Sequence, residues 1–115
     1  TDAMAAAGMP DGDYVLGPAA VTVADGVARL TGKDAIAGGT AHLLDVVRTT
    51  WRNGVDLVDA VYAASAQGAR ILGDPNIGAL EPGLWGDVVV TDSGLHPVRV
   101  VRRGDDVDLT DPCTA

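Results

Sequence analysis

Phenylalanine is missing from this 115-residue chain, and aromatic residues together make up only 3%. A core must therefore be assembled from Val, Leu, Ile and Ala, which fill space with short, branched side chains. Cysteine occurs once, as Cys113, so no internal disulfide can form, and a reducing, cytoplasmic setting is the expectation. Cations are scarce as well. Eight Lys and Arg stand against sixteen Asp and Glu, a formal charge of −8. Such a surface repels phosphate backbones and anionic headgroups, which argues against nucleic acid or a membrane surface as partner. A phosphorylated small molecule stays allowed, because one Arg or a helix N-terminus can hold a phosphate. No apolar run approaches the ~18–20 residues that cross a membrane. No signal peptide is visible, and the chain opens without an initiator Met, as though cut in mid-element.

What is present organises into one small domain's worth of elements. Tyr14–Gly17, Ala20–Ala24 and Val27–Leu30 read as strands, and the Asp25-Gly26 pair between the last two tolerates the positive φ of a two-residue hairpin turn. Residues 14–31 are thus expected to form a β-meander. Ile36-Ala37-Gly38-Gly39-Thr40 is a glycine-rich lead into a helix over 40–53, with Leu43, Leu44, Val47 and Trp51 on one face and Gly54 at its end. A second helix is expected over 56–72, capped by Asp56, with Asp59 in its first turn and Gly73 at its end; Gly68 is the candidate irregularity. Beyond Ile77 the chain turns through Pro82-Gly83. It then runs Asp87–Thr91, a β-branched stretch suited to a strand covered on both faces. Strands are expected again at Val98–Arg103 and, after a Gly104-Asp105 turn, at Val107–Leu109. Two helices with apolar stripes need a sheet beneath them, and three short strands do not supply one. Incompleteness follows from that mismatch alone.

Chemistry has two candidate locations. Asp2 is a lone carboxylate ahead of Ala and Gly, able to project into an open cleft; by itself it fits a helix cap or an exposed acid at least as well. Consecutive glycines at 38 and 39 would leave backbone N–H groups free at a helix N-terminus and let a ligand approach closely, although a tight turn explains them too. They are no P-loop, for the Gly-Lys-Ser/Thr ending is missing. His42 and His96 lack metal-ligand spacing and suit the surface.

Four blocks in fixed order carry a resemblance: Thr1-Asp2-Ala3-Met4-Ala5-Ala6-Ala7-Gly8, the Asp25-Gly26 hairpin, Ile36-Ala37-Gly38-Gly39-Thr40, and Gly78-Ala79-Leu80-Glu81-Pro82-Gly83-Leu84-Trp85-Gly86-Asp87-Val88-Val89-Val90. To about Gly104 the chain resembles the C-terminal portion of the N-acetylglucosamine-6-phosphate deacetylases of the amidohydrolase superfamily. The last block is common to many amidohydrolases, and the first and third are closer to the deacetylases. The resemblance implies an α/β architecture, the C-terminal part of a (β/α)8 TIM-barrel metallo-hydrolase plus strands of a small β-sandwich. Residues 1–73 would end the barrel and 74–115 would supply sandwich strands and a tail. It implies that Asp2 is the catalytic acid-base and that Ile36, Ala37 and Gly38 contact a phosphorylated amino-sugar substrate through their backbone. It also implies a divalent metal ion, zinc or another, held by residues upstream of Thr1, and a homodimer as the complete enzyme. Gly39 departs from a usual Ser, Gly68 from a common Pro, and Leu84 from a common Lys; Thr40 is then the substitute helix cap. Another amidohydrolase, dihydroorotase-like or acting on an acylated amino acid, fits the last block equally well. A non-catalytic β-rich interaction fragment is the remaining alternative.

Overall fold

The computed structural model describes residues 2–110, and Cys113 and the tail after Thr110 lie outside them. The chain divides into two compact units that meet at Val46/Val47. It is a mixed α/β chain with two separate antiparallel sheets and three helices among the described residues.

The first unit is a four-stranded meander, β1 (Gly12–Leu16), β2 (Ala19–Ala24), β3 (Val27–Leu30) and β4 (Ile36–Gly38), paired in that order. The expected hairpin is present, with Ala24 opposite Val27 and φ of 50° and 71° at Asp25 and Gly26. Asp11 holds it from outside: its carboxylate accepts the Asp25 N–H at 2.6 Å and the Gly26 N–H at 3.1 Å. The Thr40 hydroxyl donates to the Gly26 carbonyl. Period-two alternation then buries Val21 and Val23 of β2 together with Ala28 of β3, and the neighbouring Thr22 and Ala24 take the opposite face. Met4 and Ala6 close the core over these residues, with Tyr14, Leu30 and Ala37 at its edge.

The helices depart from expectation in two ways. The first, α1, runs Leu43–Arg52 and ends as predicted at Gly54, whose φ of 95° places its N–H on the Trp51 carbonyl. Thr40 does not cap it, since α1 begins only at Leu43, and the Thr40 hydroxyl donates to the hairpin. The expected single helix over 56–72 is two, α2 (Leu57–Ala64) and α3 (Ala66–Leu72). Asp56 caps α2 by accepting the Val58 N–H at 2.8 Å, and Gly73 ends α3 at φ 70°. The break falls at Ser65 and not at Gly68. The Ser65 hydroxyl donates to the Val61 carbonyl at 2.7 Å, and its N–H shifts to the Tyr62 carbonyl. A serine that bonds back to the preceding turn competes with the helical ladder, which is how a short polar side chain breaks it where glycine did not.

In the second unit β5 (Val88–Thr91), β6 (Pro97–Arg102) and β7 (Asp105–Val107) form a three-stranded meander. The β6–β7 turn is centred on Arg103 and Gly104, at φ 53° and 90°, one residue earlier than the sequence suggested. Its position follows from the Trp85-Gly86-Asp87 stretch. The Asp87 carboxylate accepts the Arg103 N–H at 2.7 Å, and the Gly104 N–H donates to the Gly86 carbonyl at 3.3 Å. The Arg103 guanidinium lies 4.4 Å above the Trp85 ring centroid, a cation–π contact. The β5 run is not covered on both faces in this chain: Val89 and Val90 are exposed.

Gly78 and Gly83 separate backbone strain from steric fit. Their φ values are nearly equal, 94° and 96°, but a Cβ at Gly78 would lie 2.5 Å from the Ala69 Cβ of α3, whereas nothing lies within 4 Å of one at Gly83. Gly83→Ala should cost about 1 kcal/mol from left-handed strain alone. Gly78→Ala should cost clearly more, in the ~1–3 kcal/mol range of overpacking added to that strain. Denaturant midpoints of the two variants check the ordering. Asp11→Ala removes two carboxylate hydrogen bonds at an exposed site and should lower stability by about 1–2 kcal/mol, read by thermal melting.

Candidate functional site

The two stretches singled out for chemistry meet in the first unit. The segment from Asp2 to Met4 runs alongside the end of β4 and pairs with it as a parallel bridge between Ala3 and Gly39. The Gly39 N–H donates to the Asp2 carbonyl at 2.7 Å, and the Met4 N–H donates to the Gly39 carbonyl at 3.0 Å. Further along, the Gly8 N–H reaches the Thr40 carbonyl at 3.4 Å. Asp2 is exposed and sits at φ 51°, a left-handed conformation that Asp adopts more readily than most residues.

Gly38 makes this approach possible. A Cβ there would stand 2.9 Å from the Met4 Cβ and 3.2 Å from the Asp2 carbonyl oxygen, and its φ of 144° lies in the region that favours glycine. The sequence expectation of free N–H groups at a helix N-terminus is corrected here. Ile36–Gly38 is strand, α1 begins only at Leu43, and the Gly39 N–H is already engaged. The reason is long-range, since the glycines serve a neighbouring backbone and not a helix start. Within β4, Ile36 is exposed on the surface at 68%, while Ala37 lies against the core. What β4 offers a ligand is therefore the Ile36 side chain and strand backbone.

The remaining candidates lie elsewhere. His42 is exposed at the start of α1, and its carbonyl accepts the Asp45 and Val46 N–H groups; its ring packs over Gly8, where a Cβ would sit 3.1 Å from Cε1. His96 is exposed in the β5–β6 turn, with Nδ1 3.1 Å from the Asp92 carboxylate. The His96 N–H holds Asp92 below the usual carboxylate range, helped by the His96 ring and the Gly94 N–H. This is a turn clasp: every partner serves the loop's own backbone. No group of three or more His, Cys, Asp or Glu among the described residues could hold a metal ion. No helix among them is long and apolar enough to cross a membrane. Sequence reasoning missed Met4, whose only signal was an apolar side chain two residues after Asp2, with nothing to say that it packs against a glycine 34 positions later.

Comparison with known proteins places this geometry. An N-acetylgalactosamine-6-phosphate deacetylase from Escherichia coli O157:H7 is 42% identical over 106 residues, 90% of this chain and 28% of that protein. An N-acetylglucosamine-6-phosphate deacetylase from Vibrio furnissii is 40% identical over 107 residues, 90% of this chain and 26% of its own length. A solved N-acetyl-D-glucosamine-6-phosphate deacetylase from Mycobacterium smegmatis, a point variant in complex with N-acetyl-D-glucosamine-6-phosphate, superposes with a TM-score of 0.77 at 42% identity, over 90% of this chain and 28% of that one. The chain thus spans little more than a quarter of the length of these relatives. The sequence profile of the Amidohydrolase family matches residues 18–112, and the chain belongs to that family.

Proposed function

We propose that this chain is the C-terminal segment of an amino-sugar-6-phosphate deacetylase and carries its acid-base residue, Asp2. The proposed reaction is hydrolysis of N-acetyl-D-glucosamine 6-phosphate to glucosamine 6-phosphate and acetate. The observation that carries the reading is the 2.7 Å hydrogen bond joining Asp2 to the end of β4. It ties the backbone of exposed Asp2 to the end of β4, where Ile36 is exposed, in a chain about 40% identical to deacetylases of both the glucosamine and galactosamine series.

Amide hydrolysis needs one proton removed from the attacking water and one delivered to nitrogen, because an amine does not leave as an anion. Asp2 would do both. It accepts the proton as water adds to the carbonyl carbon, then passes it to the nitrogen as the C–N bond breaks. An exposed carboxylate serves two positions in turn if both lie within hydrogen-bond reach. Ile36, Ala37 and Gly38 would hold the sugar along the strand, with Ala37 and Gly38 contributing backbone only. A divalent ion, zinc or another, would be bound by residues upstream of Thr1. In the complete enzyme, residues 1–73 would close a (β/α)8 barrel, 74–115 would add strands to a small β-sandwich, and two copies would form a homodimer.

Two measurements test this in the enzyme that contains the segment. Asp2→Asn should lower kcat by ~10²-fold or more while KM for the sugar phosphate changes little; turnover near that of the parent sinks the assignment. Acetate release should be fastest from N-acetylglucosamine 6-phosphate, slower from its galactosamine epimer and weakest from the unphosphorylated sugar. Faster release from the epimer would move the substrate to the galactosamine series, and none from any of the three would refute the deacetylase reading.

A further inference from the structure

We infer that Met4 is a positioning residue for Asp2, and that it acts by filling the space left by the absent side chain of Gly38. The inference rests on the proposed role of Asp2. Three observations converge on it. Met4 is buried at 8% exposure inside the first unit's core, although it lies two residues from an exposed acid. Its Cβ and Cγ occupy the volume of a residue-38 side chain, 2.9 and 3.2 Å from where that Cβ would be. Its polar atoms are all committed locally: the N–H donates to the Gly39 carbonyl, the carbonyl accepts the Ala7 N–H at 2.9 Å, and Sδ accepts the N–H of fully buried Ala6 at 3.0 Å.

These contacts pin the segment on both sides of Asp2's neighbour Ala3. With Met4 seated against Gly38, the Asp2 carbonyl accepts the Gly39 N–H and the Met4 N–H donates to the Gly39 carbonyl, which fixes the register of the segment beside the strand. The carboxylate is thereby aimed from a backbone fixed to the substrate-contacting strand. A proton shuttle displaced by about 1 Å can lose up to ~10²-fold in rate, so a loosened segment should weaken turnover more than binding. A buried residue outside Met4's cluster, such as Val47 of α1, lacks that link to Asp2 and should affect stability only.

The test compares Met4→Ala, Met4→Leu, Val47→Ala and Asp2→Asn in the enzyme containing this segment, assayed well below each variant's melting temperature. Met4→Ala should lower kcat by about tenfold with KM within twofold, and Val47→Ala should lower the melting temperature while leaving kcat within twofold. Met4→Leu keeps the bulk and loses only the Sδ acceptor, so it should retain most of the activity; if Met4→Ala does not fold, a melting temperature and kcat for Met4→Leu both matching the parent support seating by bulk, while a tenfold rise in KM with unchanged kcat overturns it. Full kcat in folded Met4→Ala, or an equal kcat loss in Val47→Ala, overturns the positioning role. If Asp2→Asn turns over normally, the role of Asp2 fails and this inference falls with it; an inactive Asp2→Asn beside a fully active Met4→Ala removes the inference alone.

Discussion

One backbone contact organises the first unit: the parallel bridge that lays residues 2–4 along the end of β4 through Gly39. It requires a residue without Cβ at 38, because the Met4 side chain and the Asp2 carbonyl both occupy the space a side chain would need. Once formed, it brings Met4 and Ala6 down onto Val21, Val23 and Ala28, which completes the buried cluster of this unit. Core and candidate site therefore share residues. Met4 belongs to the packing, and two positions away Asp2 belongs to the surface.

The second unit is held by different means. Its buried side chains among the described residues, Val47, Ala60 and Ala69, are small, and polar clasps pin its turns and strands: Asp87 on the Arg103 turn, Asp92 on the His96 turn, and Arg99 paired in bidentate fashion with Asp106 at 2.6 and 3.1 Å. Exposed pairs of this kind contribute little stability each. Large aliphatics remain on the surface, with Ile71 at 78% and Leu72 at 76% exposed. Each aliphatic side chain left in water forgoes roughly 1.5–3 kcal/mol of burial.

Local rules transferred well where the physics was local. Asp25-Gly26 turned because both residues tolerate positive φ, Asp56 capped because its oxygen reaches an N–H two residues on, and Gly54 and Gly73 ended helices in left-handed conformations. They failed where a distant partner decided the outcome. The pair Gly38-Gly39 looked like the start of a helix and is the end of a strand, because a segment more than thirty residues away needs the room. Ser65 broke a helix that Gly68 was expected to break, since a hydroxyl bonding back to Val61 removes more of the ladder than a missing side chain does.

Composition, turn residues and apolar periodicity were enough to find the strands of 14–30, the first helix and the β-branched strand, and to single out Asp2 as a candidate carboxylate. Those properties depend on neighbours within a few residues, so a linear reading contains them. That Asp2 and β4 lie side by side, that Met4 rather than a side chain at 38 fills the gap between them, and that Asp87 fixes a turn sixteen residues later were decided only by the tertiary structure. Each depends on the close approach of backbones remote in sequence, for which the chain's only written trace is a glycine whose reason lies elsewhere.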